Sequence, residues 1–191
     1  MQTKYKKNFS WIIGVVAFSL FLSAIPISNW MIGNVGTLCV SHGPCLIPVA
    51  PGIMAPSGVL TAGGALVLRD IVQRCLGAWW GLLAIAIGAV VSLLVAPPAL
   101  ALASAAAFTS SEIVDFAIYT PLQKRGWTKA VLASSGVGIL VDSIIFLWLA
   151  FGSLALLPGQ VIGKLWSIAF AIPLIHMTRK MTSDVIFTEK N

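Results

Sequence analysis

The chain has 191 residues, of which 58% are hydrophobic and 9% charged, with a formal net charge of +6. A soluble domain carries about a quarter charged residues, and a disordered chain combines low hydrophobicity with high charge, so disorder and most soluble classes are excluded. Near-uncharged runs such as Leu76 to Gln123, in which the acids are Glu112 and Asp115, point to membrane-spanning helices. The basic excess sits between apolar runs and forms no stripe with interleaved aromatics, so no nucleic-acid partner is expected.

The first apolar run follows Lys4, Lys6 and Lys7 and resembles a signal peptide. A cleavage site near Ala24 needs small residues at both of its positions, and Leu22 spoils that pattern. The run therefore reads as a retained helix. In chain order the spans fall at about 9–29, 56–75, 78–96, 98–121, 129–152 and 158–179, each near the roughly 20 residues a bilayer requires. Pro97-Pro98 closes the third and opens the fourth, since proline suits a first helical turn but not a helix interior. Pro158-Gly159 opens the sixth. The expected architecture is an all-α integral membrane protein, one six-helix bundle over 1–191.

Basic residues orient this bundle. Lys4, Lys6 and Lys7, then Arg69 and Arg74, then Lys124, Arg125 and Lys129, then Arg179, Lys180 and Lys190 all fall on one side of it. The alternate connections, around 30–55, 96–98 and 153–157, contain no Lys or Arg. Both termini are therefore expected in the cytoplasm, with the protein in the inner membrane. Lys164 alone breaks the pattern.

The 30–55 connection carries Pro44, Pro48 and Pro51 yet stays apolar. It reads either as a segment dipping back into the membrane against other helices or as a surface loop. Cys39 and Cys45 flank His42. This set supplies at most three ligands and matches no common zinc spacing, so no metal or cofactor is expected. A small disulfide loop on an oxidising face and two unpaired thiols remain equal alternatives.

Ionisable groups within spans cost several kcal/mol unless paired or hydrated, so each is a candidate for function. In the fourth span, Glu112, Asp115 and Tyr119 share one helical face. The fifth contributes Asp142 and Ser143, the sixth Gln160 and Lys164 one turn apart. At about 1.5 Å per residue, Lys164 lies roughly 9 Å below the external end, Asp142 roughly 15 Å, Asp70 and Glu112 about 21 Å and Asp115 about 25 Å. Lys164 can then reach Asp142, and Arg69 can reach Glu112 and Asp115. Arg69, Asp70 and Asp115 are candidates for an ion-pair network or proton relay. Two acids exceed the two cations. They carry a proton, accept hydrogen bonds from a donor-rich ligand or, near the cytoplasmic face, are simply hydrated. Seven tryptophans suit an interfacial belt. No catalytic motif is present, so an enzyme is not expected.

Several segments carry a family resemblance. They are Leu66 through Arg74 with Arg69-Asp70, Ser104 through Phe108, Ser111-Glu112-Ile113-Val114-Asp115-Phe116, Ser134-Ser135 through Asp142-Ser143, and Pro158 through Trp166. Together they resemble the queuosine-precursor transporter family, also called the vitamin uptake transporter family. The resemblance covers roughly 55–170 and implies a six-helix importer of a 7-deazaguanine such as 7-cyano-7-deazaguanine. Such a base offers a ring N–H beside an exocyclic amine, and a carboxylate can accept both. Glu112 or Asp142, with Asp115 behind them, is then the expected reader of that edge. Gln160 or Lys164 would donate to the ring carbonyl, and Trp166 or Phe108 would stack on the flat face. Two alternatives are another vitamin or heterocycle taken up with a partner ATPase, and a non-transport membrane assembly protein. The residues leave open whether the chain works as a homo-oligomer.

Overall fold

The computed structural model describes residues 2–41, 43–95, 97–122 and 127–170. His42, His176, the turn residues Lys124, Arg125 and Gly126, and the part of the sixth span beyond 170 lie outside the described residues. Among the described residues six helices are present: α1 (Gln2–Asn34), α2 (Val59–Leu76), α3 (Ala78–Val95), α4 (Pro98–Leu122), α5 (Trp127–Phe151) and α6 over 157–170. Among the described residues, the stretch Phe9–Asn34 of α1 is the one long and apolar enough to cross a membrane by length and composition.

The helix breaks follow local chemistry. A single residue, Gly77, joins α2 to α3 with φ of 102°, a conformation in which a side chain would clash with its own backbone. Its N–H bonds to the carbonyl of Gln73 and caps α2. At the next junction Pro98 takes the first position of α4, where a missing N–H costs nothing.

The expectation of a purely helical chain needs one correction. The segment between α1 and α2 forms a three-stranded antiparallel sheet, β1 (Leu38–Cys39), β2 (Cys45–Ala50) and β3 (Ile53–Pro56), in the order β1-β2-β3. Cys39 and Cys45 face each other across β1 and β2 and are disulfide-bonded. Pro48 is tolerated in the middle strand because β1 is too short to pair with it, and the ladder with β3 is irregular between Pro48 and Ala50, as strand prolines require. The sheet lies against α6. A Cβ on Gly159 would overlap the Met54 backbone, and the Trp166 indole N–H donates to the carbonyl of Val49 at 3.1 Å. Those two contacts span about 10 Å of helix.

Packing divides the helices. The α1, α2 and α3 helices pack on one another, and α4 packs chiefly on α5. The α6 helix closes on α2, where Gly163 lets Val59 approach so closely that a Cβ would sit 2.7 Å from its side chain. Ser167 donates to the carbonyl of Leu60 at 2.8 Å across the same contact. Three apolar clusters mark the levels of the bundle. Ile32, Ala103, Ala107, Phe146 and Leu147 lie toward the sheet end, Phe21, Ala65, Ala84, Ile85 and Phe108 at mid-height, and Ala17, Val67, Ile71 and Val72 toward the opposite end.

Candidate functional site

A cavity lies inside the half of the bundle nearer the sheet. It has an empty volume of about 640 Å³, counting the space at its mouth. The α1 helix lines it with Ile25, Ser28, Asn29 and Ile32, and α2 with Val59, Ala62 and Ala65. The α4 helix adds Ser104 and Phe108, α5 adds Asp142 and Phe146, and α6 adds Gln160 and Lys164. Apart from the adjacent Ser28 and Asn29, these residues recur three or four apart, so each helix turns one narrow stripe inward.

Most of the wall is apolar, and the polar groups are concentrated at one place. The Lys164 side chain, 2% exposed, forms an ion pair with Oδ2 of Asp142 and donates to the Ser143 hydroxyl at 2.9 Å. An ammonium has three donors, so one proton of Lys164 has no partner among the described residues. The second carboxylate oxygen of Asp142 is likewise without one. One turn from Lys164, the carboxamide oxygen of Gln160 is buried and accepts no hydrogen bond among the described residues. Such an orphan costs about 1–3 kcal/mol, and a ligand N–H would relieve it. On the facing wall the polar groups are engaged. Ser104 donates to Asn29 at 2.7 Å, and Ser28 donates to the carbonyl of Gly58 at 2.8 Å.

The sequence-derived candidates therefore separate into three places. Phe108, Asp142, Gln160 and Lys164 meet in the cavity. Glu112 does not line it; it sits one turn further along α4 and forms an ion pair with Nη2 of Arg69. Arg69 also donates to Asp70 through Nη1, and Asp115 lies near enough to Asp70 to act on it electrostatically. Trp166 stands outside the cavity, half exposed, bonded to Val49 and stacked on Phe170 at a centroid distance of 6.1 Å. Ser28 and Asn29 line the cavity but did not stand out in the sequence, and Ser104 did so only within a family segment. The signal for them was the inward stripe Ile25-Asn29-Ile32, which a reading of Asn29 as a span end hides.

The arrangement can hold a flat neutral molecule. Lysine and aspartate cancel in charge, two acceptors and one donor are open among the described residues, and Phe108 and Phe146 offer aromatic surface. Among the described residues no group of His, Cys, Asp or Glu could hold a metal ion.

Comparison with known proteins agrees with a transport role. Neither a curated protein nor a solved structure matches the chain. A family model described as "Putative vitamin uptake transporter" matches residues 78–189, which include the α4, α5 and α6 walls of the cavity. That match covers more than half of the chain: the protein belongs to this family of transporters, which makes it a membrane carrier and not an enzyme.

Proposed function

We propose that the protein imports a queuosine precursor, a 7-deazaguanine such as 7-cyano-7-deazaguanine, as a six-span carrier of the inner membrane with both termini cytoplasmic. One observation carries the reading: the open oxygens of Asp142 and Gln160 lie beside the spare proton of Lys164 in a charge-balanced, otherwise apolar cavity. A guanine-like edge supplies N–H donors for the first two and a carbonyl oxygen for the third. In this reading Asp142 is the reader of the edge. Glu112 and Asp115 stand behind it, because Glu112 is already held by Arg69. Phe108 is the stacking surface, and Trp166 anchors α6 to the sheet.

The orientation rests on the basic residues, which the sequence places on one side of a six-span reading, with Lys164 as the exception. The disulfide Cys39–Cys45 lies at the sheet end, which suits an oxidising exterior. The six helices among the described residues suit six spans.

The family description admits other vitamins as cargo. A binding panel on purified protein, with deazapurines, guanine and water-soluble vitamins, decides between them. Tightest binding by a 7-deazaguanine, with saturable uptake into empty vesicles, is the expected result. Tighter binding by a vitamin lacking the paired N–H edge would replace the substrate, and the absence of any saturable uptake would remove the import reading. Uptake that survives collapse of the proton gradient would separate facilitated entry from proton coupling.

A further inference from the structure

The lower end of the cavity is built as a closure. Ala65, Ile85 and Phe108 both line the cavity and belong to the mid-height apolar cluster. Behind them Phe21, fully buried, meets Phe108 edge-on at a centroid distance of 5.5 Å. Phe21 is one helical turn beyond the cavity residue Ile25 on α1. Arg69 is one turn beyond Ala65 on α2, and Glu112 is one turn beyond Phe108 on α4. The chain thus places an aromatic layer directly under the cavity and a largely buried ion pair directly under that layer.

The ion pair also joins helices with little else between them. The α2 helix packs on α1 and α3, and α4 packs on α5 and α3, while α2 and α4 share few direct contacts. A charge pair between two separately packed elements has two available arrangements, made and broken, with no intermediate packing to rebuild.

We propose that Phe21–Phe108 and Arg69–Glu112 form the gate that seals the cavity from the end of the bundle opposite the sheet. The gate opens when α2 and α4 part at that pair. Its sense of direction, release into the cytoplasm, rests on the import reading above. The seal itself does not.

The test uses the full chain in membrane vesicles. Cys75 is replaced by serine, and Ala62→Cys places a reporter thiol in the cavity wall. A small membrane-impermeant methanethiosulfonate is then applied from the cytoplasmic face. The reporter should react slowly in this background. Arg69→Ala or Glu112→Ala should speed its modification on the order of tenfold, the size of effect expected when a two-state equilibrium is biased at one site. The charge-swapped pair Arg69→Glu with Glu112→Arg should restore slow reaction. An unchanged rate in both single variants would overturn the gate. Should those variants fail to insert, Arg69→Cys with Glu112→Cys serves instead. Oxidation should block uptake and reduction should restore it, and uptake unaffected by the crosslink would overturn the proposal. Because the labelling rate involves no ligand, a gate that behaves as described while deazaguanine is not taken up would fault the substrate and leave the gate standing.

Discussion

Among the described residues two ion pairs join one helix to another, Lys164–Asp142 and Arg69–Glu112, and their surroundings differ. Lys164–Asp142 joins α6 to α5 in the cavity wall, keeps one donor and one acceptor open, and is flanked by the orphan oxygen of Gln160. Arg69–Glu112 joins α2 to α4 beneath the aromatic floor, and Arg69 is shared further with Asp70. The first pair presents unused hydrogen-bonding capacity to an empty space. The second spends its capacity inside the protein. Charge in an apolar bundle is costly in both places, but only the first arrangement leaves something for a ligand.

The largest break in that comparison should come from Asp142→Asn. It removes a charged acceptor and leaves the Lys164 ammonium buried without its counter-ion. Ligand binding should weaken roughly a hundredfold, from about 3 kcal/mol of charge-assisted hydrogen bonding. Unfolding midpoints should fall as well, since stranding a buried charge costs about 3–5 kcal/mol. The double variant Lys164→Met with Asp142→Leu separates the two effects. It should recover stability, as apolar replacements of buried pairs do, and still bind no ligand in equilibrium titration.

Glu112→Gln should act on the other quantity. Vesicle uptake should drop on the order of tenfold through a biased gate equilibrium, while the dissociation constant measured on purified protein stays within about twofold.

Gly163→Ala sharpens the boundary between site and scaffold. The added methyl would press on buried Val59, an overpacking worth about 1–3 kcal/mol. Thermal unfolding should register that loss, and the order of preference among competing ligands should not change.

The smallest effect should belong to Gln160→Leu, and it carries opposite signs. Removing a buried orphan oxygen should raise the midpoint of the ligand-free protein, while the lost neutral hydrogen bond, about 1 kcal/mol, should weaken binding about fivefold. A fall in both would show that the oxygen is already satisfied.

Much of this contrast was legible in the chain. Hydropathy and the Pro97-Pro98 break placed α3 and α4 within a residue or so of their observed ends, because adjacent prolines leave the backbone few alternatives. Counting depth at a fixed rise per residue put Lys164 within reach of Asp142 and Arg69 within reach of Glu112, and both pairs are made. Rise is a property of one helix, so depth needs no knowledge of neighbours. Which acids share a cavity depends on where the apolar floor falls. That floor is set by Phe21, Ala65, Ile85 and Phe108 from four helices, and no single helix reports it. Trp166 was a candidate for stacking by type alone; its bond to Val49, far away in the sequence, could not be read from α6. The sheet was hidden because its strands are short and Pro48 interrupts the middle one, while β1 extends for only Leu38 and Cys39.

The central claim is that Asp142 reads the ligand and Glu112 governs its passage. Titration of 7-cyano-7-deazaguanine against purified Asp142→Asn and Glu112→Gln, side by side with the unaltered chain, tests it most directly. The account predicts binding weakened roughly a hundredfold in the first and kept within about twofold in the second. Binding retained by Asp142→Asn and lost in Glu112→Gln would contradict it.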